Sequence, residues 1–123
     1  MHMQDDFPLL LSTLYDNAVW QYGRQEIVSV EADHSIHRTT YAATDDRIRR
    51  LATALGAKLG TEAGDAIVTF AWNNHRHHEL NRATANTGRV CHTSNIRLFP
   101  EQIVYLVNPA EHRAIFVDPV LAP

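Results

Sequence analysis

The chain has one cysteine, five glycines and an excess of acidic over basic residues. Each scarcity excludes something. A single cysteine, Cys91, allows no internal disulfide, and a reducing compartment is its simplest home. Within "VCHT" it reads as a small buried hydrophobe. Adjacent strand residues face opposite ways, which argues against activation of Cys91 by His92. The glycines, at 23, 56, 60, 64 and 88, are scattered, so no GxxxxGK(S/T) or GxGxxG phosphate cradle exists. A GxSxG nucleophile elbow and an HExxH zinc motif are missing too. With 11 Lys and Arg against 14 Asp and Glu, the net charge of −3 argues against a general nucleic-acid binder. The one basic cluster, "RIRR" at 47–50, reads as a solvated helix face. At the start, an acidic flank precedes a short apolar run from Phe7 to Leu11, unlike a signal peptide. No stretch approaches the ~20 apolar residues of a membrane span. A cytoplasmic location is expected.

What is present is ordinary for a globular domain: 45% hydrophobic and 20% charged residues over 123 positions. A chain of this size fits one small domain that buries roughly two-thirds of its unfolded surface. Leu14, Tyr15, Ala18, Val19 and Tyr22 recur at helical spacing, with Ser12 or Thr13 as a cap and Gly23 as a stop. "EIVSVEADHSIHRTTY" predicts a hairpin of strands 26–30 and 36–41 around a polar centre. Residues 42–59 carry a stripe of Ile48, Leu51, Ala52, Leu55 and Leu59, which predicts the longest helix. The apolar run "AIVTFAW" predicts a strand in a sheet covered on both faces. Then follow a helix from His75 to about Thr87, capped by Asn73 or Asn74 and stopped by Gly88, and a strand "RVCHT". A helix opened by Pro100 and Glu101 runs through Ala110, and "RAIFVD" forms a last strand. The expected class is therefore α/β, with an N-terminal hairpin and helices leading into a βαβαβ parallel-sheet unit. Three parallel strands make a narrow sheet whose edges need partners, so part of a larger α/β domain is expected.

The densest chemistry lies in "AWNNHRHHEL". On a helix His75, His78 and Glu79 could share one face, and two histidines with a carboxylate can hold a transition metal. No group that would fix their orientation is visible in the sequence. The plainer reading is a polar first turn with exposed or hydrogen-bonded histidines. The turn also sits at the carboxyl end of a parallel strand, where open α/β sheets bind ligands.

The order of segments from Phe7 to Pro123 resembles the N-terminal portion of medium- and long-chain fatty-acid–CoA ligases of the AMP-binding, adenylate-forming superfamily. The most specific pieces are Thr40-Tyr41 opening a long helix, Gly64-Asp65 before a strand, and the turn with Trp72, Asn73, His75, His77 and Glu79. Next come Gly88, then His92, Asn95, Arg97 and Pro100 in "HTSNIRLFPEQI", and Asp118 in "FVDP". Nearly the whole chain is covered. The resemblance implies an incomplete part, residues 1–123, of the large N-terminal domain of such enzymes, with no second domain. It also implies a two-step reaction: ATP and a fatty acid form an acyl-adenylate, assisted by Mg²⁺, and coenzyme A then takes the acyl group. The family's phosphate loop, adenine-binding segment, ribose-binding aspartate and catalytic lysine have no counterpart here, so the matched positions are scaffold and no catalytic or cofactor-binding residue is assigned. One departure stands out: Asn81, Arg82, Asn86 and Arg89 occupy places where the family carries apolar or small residues, so those faces are exposed or the helix packs differently. Three other readings stay open: a non-catalytic α/β interaction module, pairing as a homo-oligomer or with the missing remainder of a ligase; a remnant of a truncated ligase gene; and a small metal-binding protein using His75, His78 and Glu79.

Overall fold

The computed structural model describes residues 9–108 and 111–122. The acidic start of the chain and the end of the helix expected to reach Ala110 lie outside the described residues. The elements run α1 (Leu11–Tyr22), β1 (Glu26–Val30), β2 (Ile36–Thr40), α2 (Tyr41–Leu59), β3 (Ala66–Phe70), α3 (His75–Ala85), β4 (Val90–Thr93), α4 (Pro100–Val107) and β5 (His112–Val117). A 3₁₀ turn, Pro119–Leu121, follows. β1 and β2 form the antiparallel hairpin, and β4-β3-β5 form a parallel sheet in that order. The βαβαβ expectation holds.

The helix boundaries follow from local chemistry. Thr40 Oγ1 accepts from the Ala43 N–H at 3.2 Å, so α2 begins at Tyr41, one residue before the expected start. Its end is a left-handed Gly60, φ 62°, with Gly60 N–H donating to Gly56 and Thr61 N–H to Leu55. α1 differs from expectation: it starts at Leu11, and neither Ser12 nor Thr13 caps it. α3 stops at Ala85, two residues short of Thr87, because Thr87 and Thr84 hydroxyls turn back onto helix carbonyls and Arg89 N–H closes the end on Thr84. Pro100 occupies the first helical position of α4, where its missing N–H costs nothing.

The core lies between the sheet and the α1–α2–α3 layer. Tyr15, Ile48, Leu55, Ile67, Leu80 and Ala83 form it, with Tyr41, Leu51 and Phe116 packed at its margin. Only part of each expected apolar stripe is used. Leu14 and Tyr22 of α1 and Leu59 of α2 face outward, since one helix face meets the core and these lie beyond its rim.

Gly64-Asp65 forms the turn before β3. Gly64, at φ 90°, donates its N–H to the Gly88 carbonyl at 2.8 Å. Gly88, at φ 70°, joins α3 to β4, and a Cβ there would stand 3.4 Å from the Ala63 methyl. Gly88→Ala should therefore cost about 1–2 kcal/mol, because left-handed backbone penalises any side chain. Gly56→Ala, in an ordinary helical conformation, should be neutral or stabilising by about 0.5–1 kcal/mol. Thermal unfolding of the two variants checks this; equal losses would overturn the conformational account.

Candidate functional site

The site grows from the turn after β3. Asn74, not the exposed Asn73, is the α3 cap, and its Oδ1 accepts from His77 N–H at 3.1 Å. Its Nδ2 donates to Asp118 Oδ2 at 3.1 Å, joining the carboxyl ends of β3 and β5. Asp118 also caps the 3₁₀ turn through Val120 N–H, at 3.3 Å. Both Asn74 and Asp118 are buried.

The histidines of "HRHHE" divide between different partners. His75 N–H donates to Ser29 Oγ at 2.9 Å, and its ring Nδ1 donates to Glu31 Oε1 at 2.6 Å. The ring stacks on His37, with centroids 3.8 Å apart. These contacts tie the hairpin to α3. His77 Nε2 lies 2.9 Å from Thr69 Oγ1 and ties α3 to β3. His78 packs beside Tyr15, with centroids 6.0 Å apart. Glu79 forms a bidentate pair with Arg47, at 2.7 and 3.0 Å, and ties α3 to α2. Arg47 of "RIRR" is therefore not merely solvated; nor is Arg49, which pairs with Asp45 on its own helix and with Asp16 of α1, while Arg50 makes an exposed pair with Asp46. The shared face that spacing allowed His75, His78 and Glu79 is not what packing makes of them. Among the described residues no group of three His, Cys, Asp or Glu side chains converges to hold a metal.

Burial first, opposed by a hydrogen bond to the Trp72 backbone, holds His77 below the ordinary imidazole value. Burial, reinforced by Arg82 and opposed by Glu79, does the same to His78. Burial would raise the Glu31 carboxyl, but hydrogen bonds from His75 and Ser29 outweigh it and hold Glu31 below its usual range. The signs agree. The folded chain takes up these protons less readily than the unfolded chain, so stability is full above pH 6.5 and falls as the pH drops through the lower folded-state histidine values. Glu31 adds a further loss below 4.5. Urea midpoints measured downward from neutrality should fall, and His78→Phe should flatten the histidine part of the slope. An unchanged slope in that variant would remove His78 from the account.

The polar residues of α3 and the following turn are accommodated by partners. Arg82 lies 5.4 Å from the Tyr15 ring centroid. Arg89 Nε donates to Thr61 Oγ1 at 2.8 Å, and its Nη2 donates to the Thr61 carbonyl. Asn81 donates to Cys91 Sγ at 3.7 Å. The helix is thus half-buried with its polar groups largely partnered; among the described residues of this stretch, Asn86 Oδ1 and His78 Nε2 are buried without a hydrogen-bond partner.

The other positions named in the resemblance make local contacts. Tyr41 packs on Tyr15, with centroids 6.0 Å apart. Trp72 stays partly exposed and accepts from Asn74 N–H at 2.9 Å. His92 Nδ1 meets His112 Nε2 at 2.8 Å, on the sheet face opposite Cys91. Asn95 Oδ1 accepts from Arg97 N–H at 3.0 Å in the loop before α4.

Two adjoining cavities open at the carboxyl ends of β3 and β5. One, about 220 Å³, has apolar walls of Leu51, Ala71, Leu80, Phe116 and Val117. The other, about 380 Å³, is lined by Glu31, Asp33, Arg76 and Asp118. Sequence reading missed Glu31 and Ser29, because their partner lies 44 and 46 residues away and only the hairpin's docking brings them there. These residues do not fit a nucleotide phosphate. Three carboxylates against one guanidinium repel polyanions, and the leading amides of His75 and His77 are already bonded to Ser29 and Asn74.

The strand order, with α3 and α4 on opposite faces, defines a doubly wound α/β unit whose crevice lies at the β3/β5 switch point. Residues 16–123 match the AMP-binding enzyme family, and the chain belongs to it. It is 47% identical over 116 residues to the 3-methylmercaptopropionyl-CoA ligase of Ruegeria lacuscaerulensis, covering 94% of this chain and 21% of that protein. It is 41% identical over 118 residues to the long-chain-fatty-acid–CoA ligase of Thermus thermophilus, covering 96% and 22%. Among solved structures, a Mycobacterium tuberculosis fatty acyl CoA synthetase superposes with a TM-score of 0.76 at 21% identity, over 90% of this chain and 22% of that one. A benzoate CoA ligase from Burkholderia xenovorans gives 0.75 at 20% identity, over 89% and 22%. The chain thus corresponds to an N-terminal segment of fatty-acid–CoA ligases and spans about a fifth of the length of these curated relatives. No helix among the described residues is long and apolar enough to cross a membrane.

Proposed function

We propose that residues 1–123 are the scaffold portion of the N-terminal domain of an ATP-dependent, cytoplasmic fatty-acid–CoA ligase. The complete enzyme joins ATP and a fatty acid into an acyl-adenylate and pyrophosphate, and the coenzyme A thiol then displaces AMP from the acyl group. Mg²⁺, when bound with ATP, neutralises phosphate charge in the first step. The observation that carries this reading is identity above 40% to CoA ligases along nearly the whole chain. The polar turn supports the scaffold role. Asn74, His75, His77 and Glu79 each spend their hydrogen-bonding groups on holding hairpin, sheet and helices together.

On this reading the 123-residue chain alone performs no adenylation, because it carries no counterpart of the family's phosphate loop or catalytic lysine. Fatty-acid-dependent exchange of pyrophosphate into ATP tests both halves. The isolated chain should show none, and a chimera carrying it in place of the matching segment of the Thermus ligase should exchange. Exchange by the isolated chain at the rate of an intact ligase would overturn the scaffold role. A folded chimera without exchange would overturn the ligase assignment.

A further inference from the structure

Packing separates the histidines of the polar turn, but it brings two others together. His92 of β4 and His112 at the start of β5 flank β3. His92 is in register with Val68, so both histidines lie on the sheet face that carries α4. Ala66, the β3 residue in register with His112, has only a methyl group and leaves room for the rings to meet across it. His92 Nδ1 lies 2.8 Å from His112 Nε2, with ring centroids 5.0 Å apart and planes inclined at 35°. On its other side His112 Nδ1 faces the carbonyl of Val107, the last residue of α4, at 3.2 Å. A carbonyl only accepts, so the neutral His112 ring carries its proton on Nδ1 and aims a bare Nε2 lone pair at His92. Both rings are half-buried, and water reaches the pair.

We propose that His92 Nδ1 and His112 Nε2 are the two protein ligands of a transition-metal site, for an ion of the Zn²⁺, Ni²⁺ or Cu²⁺ class, that ties β4 to β5. The site stands apart from the ligase reading. Imidazole nitrogen suits these ions, whereas Mg²⁺ and Ca²⁺ prefer oxygen. Two nitrogens bound tetrahedrally at about 2.0–2.1 Å stand about 3.3 Å from each other. The pair here is closer by about 0.5 Å, which small rotations about the soft outer torsion of each ring supply. His112 needs no change, since its Nε2 is already bare. His92 moves its proton from Nδ1 to Nε2, so two neutral rings bind the ion without net loss of a proton. The Val107 carbonyl fixes the tautomer and orientation of His112, as the outer partner of a ligating histidine does. The carboxyl end of α4 also favours positive charge. Cys91 points to the opposite face, and among the described residues no third His, Cys, Asp or Glu converges with the pair. Water therefore takes the remaining positions of an open site.

Titration of the 123-residue chain with Zn²⁺, followed by nitrogen-15 NMR of its imidazoles, tests this. Zn²⁺ should move His92 Nδ1 and His112 Nε2 to the shifts of coordinated nitrogen, and Mg²⁺ should leave both in place. His112→Gln keeps an acceptor opposite His92 Nδ1 and so preserves the hydrogen bond, but it removes one imidazole ligand. It should bind Zn²⁺ at least about tenfold more weakly than the parent. The proposal falls if Zn²⁺ shifts only other histidines, such as His75 or His78, or if His112→Gln binds it as tightly as the parent. It falls equally if Mg²⁺ moves the pair as Zn²⁺ does, which would put the ion on oxygen ligands. Should the isolated chain not fold, the parent and His112→Gln are compared within the Thermus chimera. There Zn²⁺ should raise the melting temperature of the parent more than that of the variant, and equal shifts would overturn the site.

Discussion

Arg47→Ala is expected to destabilise the chain by about 2–3 kcal/mol, more than an exposed ion pair explains. Glu79 keeps only 6% of its side chain exposed, and Arg47 supplies both bonds to its carboxylate. Removing the guanidinium strands a charge in the interior, a loss of roughly 3–5 kcal/mol for a fully buried pair. Arg47 is itself 52% exposed, so solvent screens part of the interaction and the lower figure is appropriate. The double replacement Arg47→Leu with Glu79→Leu should cost less than Arg47→Ala alone, since it leaves no charge behind. Urea unfolding of the single and double variants, read as a thermodynamic cycle, checks this. Additive losses would show that the pair contributes no coupling between α2 and α3.

Ile48→Ala should cost about 2–4 kcal/mol, through lost transfer free energy and the cavity left behind. Ile48 is 1% exposed on the α2 face that meets α1 and α3, where the side chains around it belong to fixed elements and cannot close the gap. Small domains have roughly 5–15 kcal/mol in hand, so the variant should lose much of its cooperative unfolding transition. Leu14→Ala is the contrast. Leu14 is 69% exposed on α1, and its removal should change stability by less than about 0.5 kcal/mol. Similar losses from the two would mean that the core does not lie where burial puts it.

Both results bear on how far the sequence could be read. Pattern and punctuation found every α-helix and strand of the described residues, though not the 3₁₀ turn Pro119–Leu121, because a helix of 19 residues and a five-residue apolar strand carry strong local signals and a single tight turn does not. It could not say which part of each stripe meets the core. Leu14 and Ile48 look alike as apolar residues at helical spacing, and only the placement of neighbouring helices separates them.

The candidate site shows the same division. A cap at Asn73 or Asn74 and the carboxyl-edge position of the turn were legible, since each depends on residues within a few positions, whereas the stop expected at Gly88 came earlier, at Ala85 with Asn86 as the C-cap. Glu31 was not. Its role needs a hairpin to fold back so that a carboxylate meets His75, and no local pattern encodes that distance. The metal reading of His75, His78 and Glu79 drew on a spacing that is real on the helix; tertiary partners then turned each side chain elsewhere.

By itself, then, the sequence determined the α/β class, the element order, the parallel βαβαβ unit and the resemblance to CoA ligases, because these rest on short-range pattern and on the order of motifs. Tertiary structure alone decided which apolar residues form the core, that Arg47 answers Glu79 and Glu31 answers His75, and that His92 meets His112 across β3. Those outcomes depend on which surfaces meet after the elements form, and burial and ion pairing act through contacts between residues far apart in the chain.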